Sequence, residues 1–198
     1  MSFSQQVLSA LDPAKVPSDV LPSHLRRLVL TGFMGAGKST VGRLLAARLG
    51  WEFLDLDQHL ENRAGATIPE LFSRHGEAYF RRLESTALAS ALGRSKVVLA
   101  LGGGTPEDLT NRLLIEQTPG TATVFLDAPF ATLFDRCVLQ EISRPVLADP
   151  AAAQVRFERR RPLYTRLSHL TVETTNLSSD QTIEAILSGL NQIPYFRT

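Results

Sequence analysis

The sequence predicts an α/β protein with a doubly wound parallel sheet. Three observations carry that prediction. Apolar segments near residues 27–31, 51–57, 97–101, 122–127 and 169–173 alternate with stretches of helical period, the pattern of a parallel sheet flanked by helices. The first segment runs straight into Gly32-Phe33-Met34-Gly35-Ala36-Gly37-Lys38-Ser39-Thr40, which matches the phosphate-binding pattern G-x-x-x-x-G-K-[ST]. The third segment, Val97-Val98-Leu99-Ala100-Leu101, is apolar throughout, as a strand covered on both faces requires.

Composition bounds the function. The chain has 198 residues, 43% hydrophobic and 21% charged, which suits one soluble α/β domain with a substantial core. A formal net charge of +1 gives no global field toward nucleic acid or an anionic membrane, so neither is an expected partner. No apolar stretch approaches the ~20 residues of a membrane span. The start of the chain lacks the charged and apolar regions of a secretory signal. The single cysteine, Cys137, cannot form an intrachain disulfide, so a cytoplasmic location is expected.

Residues 1–25 form an N-terminal extension to a domain spanning 26–198. Pro13, Pro17 and Pro22 prevent any long helix in the extension. In the phosphate-binding loop, glycines allow a tight turn that points backbone N–H groups inward. Gly35, Ala36, Gly37, Lys38, Ser39 and Thr40 are the expected nucleotide-binding residues. Lys38 reaches the phosphates and the Ser39 hydroxyl is a magnesium ligand. The next helix, about 38–49, adds the positive end of its dipole and stops at Gly50.

Residues Trp51 to Asp57 read as a second strand ending in Asp55 and Asp57. The i, i+2 spacing puts both carboxylates on one side of a strand. They are either a polar strand end with a helix cap, or ligands for magnesium and substrate at the sheet edge where such folds bind them. Thr67 and Glu70 form a capping box for a helix that breaks at Gly76 and reaches about Leu92. On that helix Arg81 and Glu84 are i, i+3 neighbours: a surface ion pair, or an arginine held in place to clamp a carboxylate.

Gly102-Gly103-Gly104 after the third strand suggest close backbone approach to a ligand, or simply a flexible turn. Thr105-Pro106 with Asp108 reads as a helix start. The fourth strand ends at Asp127. Cys137 continues the apolar face of the helix after Pro129 and reads as packing. Residues 138–150 lose periodicity around Arg144-Pro145, the pattern of a mobile lid whose arginine meets the phosphates. Residues 151–166 form a basic helix, and Ile183, Ile186, Leu187 and Leu190 mark a closing helix capped at Ser178 or Ser179.

The phosphate-binding loop, Phe53-Leu54-Asp55-Leu56-Asp57, Phe80-Arg81-Arg82-x-Glu84, Gly102-Gly103-Gly104, Arg144-Pro145 and Arg160-Arg161-Pro162-Leu163-Tyr164 resemble the shikimate kinase family in order and spacing over about residues 27–190. The resemblance implies a three-layer P-loop kinase fold like that of nucleoside monophosphate kinases, with strand order 2-3-1-4-5. It implies ATP-dependent phosphorylation of the 3-hydroxyl of shikimate on the route to chorismate, with Mg2+ as cofactor and ATP as co-substrate. A monomer is expected.

By the same resemblance, Lys38, Asp57 and Arg144 are catalytic. Asp57, Arg81, Gly102, Gly103, Gly104 and Arg160 bind shikimate. Glu84 orients Arg81, and Asp55 holds magnesium through water. Arg136 and Arg144 face the nucleotide. The arginine and proline that the family often has after the last strand are replaced here by Thr174-Thr175-Asn176-Leu177-Ser178. Two rival readings are another small-molecule kinase such as a gluconate kinase, and a non-catalytic ligand sensor. The first should lack the F-R-R-x-E and G-G-G pair. The second should have lost Lys38, Asp57 or Arg144.

Overall fold

Five strands lie parallel in one sheet: β1 (Arg27–Thr31), β2 (Glu52–Asp55), β3 (Val97–Ala100), β4 (Thr121–Asp127) and β5 (Leu170–Glu173). The computed structural model describes residues 21–139 and 149–193. The strand order is β2-β3-β1-β4-β5, the order the family resemblance implies. Leu30 of β1 sits between Ala100 of β3 and Val124 of β4, and Asp55 pairs with the same Ala100. Asp127 pairs with Glu173. The C-terminal ends of the strands therefore line one edge, and the loops that leave it carry the site.

Seven helices among the described residues cover the sheet: α1 (Lys38–Leu49), α2 (Leu56–Ala64), α3 (Ile68–Leu92), α4 (Leu109–Gln117), α5 (Phe130–Leu139), α6 (Pro150–Leu167) and α7 (Ser179–Asn191). Alternation along β1 divides the core. Leu28 and Leu30 join Val41 and Leu45 of α1, Phe157 and Tyr164 of α6, and Ile183, Ile186 and Leu190 of α7. Val29 points the other way, toward Leu60 of α2, Leu88 of α3 and Ile115 of α4. Each such leucine contributes about 2 kcal/mol by leaving water. Leu25 is buried in the first cluster and Leu21 packs on it, so the chain joins the core before β1 begins.

The termini of the helices follow local chemistry. Gly50 ends α1 at φ 64°. Thr67 and Glu70 form the expected capping box, and α3 kinks at Gly76 (φ 75°, ψ 176°). Ser178 caps α7, with Gln181 completing its box.

Two expectations fail locally. Asp57 is not at a strand end. β2 stops at Asp55, whose carboxylate accepts from the Gln58 amide and caps α2, so Asp57 lies in the first helical turn. The capping option for Asp55 thus ends the strand two residues early, and the two carboxylates do not share a strand face. Thr105 does not start a helix either. Thr105–Glu107 make a single 3-10 turn, and Asp108 is the cap of α4, accepting from the Thr110 amide at 2.7 Å.

At the ends of the expected lid, residues 138 and 139 belong to α5, and Asp149 caps α6 by accepting from the Ala152 amide at 3.0 Å. Residues 140–148, with Arg144, lie outside the described residues, as do residues 1–20.

Candidate active site

The phosphate-binding loop joins β1 to α1 at the centre of the sheet edge. Gly35 sits at φ 75°, and a Cβ there would collide with the Leu133 carbonyl and come within 3.0 Å of Cys137 Sγ. Only glycine lets the loop lie this close to α5. Cys137 is fully buried beneath it, which supports the packing reading of that residue. Phe33 is buried and meets Phe157 edge-on, with ring centroids 5.4 Å apart. Lys38 Nζ donates to the carbonyls of Gly32 and Phe33, both at 2.9 Å, which folds the ammonium over the loop.

Beside the loop, Ser39 Oγ donates to Asp55 Oδ2 at 2.7 Å. Two oxygens from different elements meet at the N-terminus of α1. That is too few for an all-protein cage, and among the described residues no cluster of three His, Cys, Asp or Glu side chains stands ready for a metal. It suits a small hard cation that keeps waters and takes further oxygens from phosphate.

Asp57 lies across the crevice, against the backbone after β3. A Cβ on Gly102 would collide with Asp57 Oδ1, so the glycine is what admits the carboxylate. Asp55 and Asp57 are thus separated by their surroundings, one facing Ser39 and one facing Gly102.

The next glycine but one organises two arginines. The Cβ position of Gly104 lies 3.2 Å from Arg160 Nη2 on α6, and 3.2 and 3.3 Å from Arg81 Nη1 and Nη2 on α3. Two guanidiniums converge on one point, an arrangement that favours a carboxylate. Each has a carboxylate of its own behind it. Arg81 Nη1 donates to Glu84 Oε2 at 2.8 Å, and Thr105 Oγ1 donates to Glu84 Oε1 at 2.8 Å. The Glu84 side chain is only 3% exposed, so this is no surface ion pair. Removing either donor would leave a buried charge under-satisfied. Burial pulls the Arg81 pKa down, but Glu84 and then Glu77 outweigh it and hold it above the usual value.

Arg160 donates from Nε and Nη2 to Glu107 Oε2 at 2.9 and 2.6 Å. Burial pushes the Glu107 carboxyl up, but Arg160 and then Arg159 hold it below the usual range. Of the arginine run on α6, Arg160 faces the glycines. Arg159 pairs with the other oxygen of Glu107, and Arg161 Nη2 donates to Asp127 Oδ2 at 2.6 Å. Tyr164, fully buried, donates its hydroxyl to the Gly103 carbonyl at 2.6 Å and pins the glycine run to α6.

Arg136 on α5 donates to Thr174 Oγ1 at 3.1 Å and to the Thr174 carbonyl at 2.7 Å. Thr174 in turn donates its hydroxyl to the Asp127 carbonyl at 3.0 Å. The segment where the family's arginine and proline are missing is therefore held between α5 and the end of β4.

Residues 34–191 match the shikimate kinase family. The chain belongs to the shikimate kinase family. It is 37% identical to the shikimate kinase of Persephonella marina, over 84% of this chain and 99% of that one. Identity to the enzyme of Lactococcus lactis is 40%, over 80% of this chain and 94% of that one. Among solved structures, the shikimate kinase of Acinetobacter baumannii in complex with shikimate superposes with a TM-score of 0.76 at 36% identity, covering 83% of this chain and 92% of that one. A gluconokinase from Sinorhizobium meliloti reaches a TM-score of 0.58 at 20% identity, covering 84% of this chain and 92% of that one. That likeness shows a shared P-loop kinase fold and no more.

For this family member, the fold brings Lys38, Ser39, Asp55, Asp57, Arg81, Glu84, Gly102–Gly104 and Arg160 to one sheet edge, with Arg136 at its flank. Arg144 falls outside the described residues. Three contributors carried no expected role in the site: Thr105, Glu107 and Tyr164. Tyr164 stood inside a family motif without a function attached. Glu107 carried no signal beyond an acid soon after a glycine run.

Proposed function

We propose that the protein transfers the γ-phosphoryl group of ATP to the 3-hydroxyl of shikimate, giving shikimate 3-phosphate and ADP on the route to chorismate and the aromatic amino acids. The observation that carries it is the convergence of Arg81 and Arg160 on Gly104, beside Asp57 and one loop away from Lys38. A hydroxy acid whose carboxylate meets the arginines presents its ring to Asp57. The gluconate kinase alternative finds no such support, because the likeness to a gluconokinase extends only to the fold.

Phosphoryl transfer depends on positioning and charge neutralisation more than on covalent chemistry by the protein. The loop backbone and Lys38 hold the phosphates, and Lys38 leaves its two carbonyl partners to meet them. Ser39 and Asp55 are the residues that would hold Mg2+, with Asp55 acting through water. The ion would supply charge neutralisation at the phosphates. Asp57 accepts a hydrogen bond from the attacking hydroxyl and aims its oxygen. The new O–P bond forms as the bond to the ADP oxygen breaks, and the hydroxyl proton leaves toward Asp57. Arg136 flanks the nucleotide. Arg144, in the role that the family resemblance implies, shares the charge of the transferring group.

We further infer a cytoplasmic location from the single cysteine, and expect a monomer. No helix among the described residues is long and apolar enough to cross a membrane. A coupled assay of ADP release with shikimate, quinate, gluconate and no acceptor tests the function. Shikimate-stimulated release is expected. Equal release with every acceptor, or none with shikimate at saturating ATP and magnesium, refutes it.

A further inference from the structure

Glu107 has no role in catalysis or substrate binding among those assigned above. Its turn is held from several sides. The Glu107 amide donates to the Gly104 carbonyl at 2.9 Å, and the Thr105 amide to the Gly102 carbonyl at 3.1 Å. Asn111 Nδ2, from fully buried Asn111, donates to the Thr105 carbonyl at 3.1 Å. Arg112 Nη1 reaches the carbonyls of Pro106 and Glu107. The side chain thus projects from a backbone that has little room to move.

That side chain grips Arg160 in a particular way. One oxygen takes both Nε and Nη2, while the other oxygen takes Arg159. Arg160 is 12% exposed and Glu107 is 19% exposed, whereas Arg159 is 68% exposed. The enclosed pair is therefore Glu107 with Arg160. The Nε side of the guanidinium is committed to Glu107. Its Nη1 lies 3.6 Å from the Cβ position of Gly103, so the terminal edge faces the glycines. An arginine has a long stem with many rotamers and a planar fork, and binds a carboxylate well only when its plane is set.

We propose that Glu107 is a positioning residue for substrate binding, setting the plane of Arg160 so that its terminal edge meets the substrate carboxylate over Gly104. The inference rests on the proposed shikimate kinase reading of the site. Glu107 would do for Arg160 what Glu84 does for Arg81, but from a separate element. The two arginines would then be aligned independently, one from within its own helix and one across 53 residues of sequence. A carboxylate that merely masked Arg160 would lie across the terminal edge and compete with the substrate. The grip on the Nε side leaves that edge turned to the glycines.

Steady-state kinetics of Glu107→Ala and Glu107→Gln test the proposal, with ATP and shikimate varied in turn. Glu107→Ala should raise the KM for shikimate about tenfold, the loss of a charged hydrogen bond, while kcat stays within about twofold and the KM for ATP is unchanged. Glu107→Gln keeps an acceptor oxygen and should restore part of the affinity. An unchanged shikimate KM in Glu107→Ala overturns the proposal, as does a lowered KM in both variants, which would make Glu107 a mask. A matched loss of kcat and of affinity for both substrates also overturns it, because that is a structural defect. The unmodified protein separates the two readings: if it does not phosphorylate shikimate, the functional reading falls, and if it does, only the role of Glu107 is at stake.

Discussion

Replacing Gly102 with alanine adds one methyl group where the crevice has no room for it. The new Cβ would collide with Asp57 Oδ1 and lie 3.3 Å from Asp57 Cγ and 3.1 Å from Thr105 Oγ1. The Asp57 carboxylate must retreat by about 1 Å to reach ordinary contact. The backbone tolerates the change, since Gly102 is not among the glycines with positive φ. The end of a carboxylate side chain moves at small expense, so stability should fall by only about 1 kcal/mol. Catalysis depends on the position itself. A displacement of about 1 Å in the group that aims the nucleophile should lower kcat about 100-fold. Thermal unfolding and coupled ADP release on the same preparation read the two effects separately. Gly50→Ala is the control. Nothing lies within 4 Å of its Cβ position, but its φ of 64° is strained for alanine. It should lose about 1 kcal/mol of stability and retain full kcat. If Gly102→Ala keeps kcat within about threefold of the parent, Asp57 is not held where the reaction needs it, and the reasoning fails.

Lys38→Ala should remove turnover while calorimetric shikimate binding without nucleotide survives, because Lys38 serves the phosphates; a comparable loss of shikimate affinity would contradict that role. Asp57→Asn should abolish transfer and weaken shikimate binding. Asp55→Asn, which disturbs the pair with Ser39, should instead raise the magnesium requirement, and reversed behaviour of the two variants would reverse their assignments. Tyr164→Phe tests alkaline stability. Burial pushes the Tyr164 phenol well above its usual value, so the folded state keeps a proton that the unfolded chain releases above about pH 10, and stability falls as pH rises from there. The variant should lose about 1 kcal/mol at neutral pH with the hydrogen bond to Gly103, and should show a shallower alkaline decline; an unchanged slope would mean that Tyr164 does not govern it.

Much of this protein is determined by the sequence alone, because the determinants are local. Apolar runs and helical period place the strands and most helices to within about two residues, but they do not mark α2 and they start α4 too early. Glycine at Gly50 and the capping boxes at Thr67 and Ser178 mark ends through contacts made within one turn. The phosphate-binding loop is legible for the same reason, since its backbone and its helix dipole belong to one continuous stretch. Where two local signals competed, the sequence left the choice open. Asp55 could end a strand as a ligand or as a cap, and only the structure shows it capping α2 while it also meets Ser39, moving Asp57 onto a helix. At Thr105 the sequence points to the wrong residue, because Asp108 takes the cap of α4.

What the tertiary structure decided is which distant groups face one another. Arg81 and Arg160 meet at Gly104 because strand order brings α3 and α6 to the same edge, and no periodicity in either helix carries that information. Burial of Glu84 turns an ordinary i, i+3 pair into a fixed support, since a carboxylate removed from water must keep its partners. The pairing of Glu107 with Arg160 depends on the strand crossings between them, so this acid after three glycines acquires meaning only once the sheet has formed.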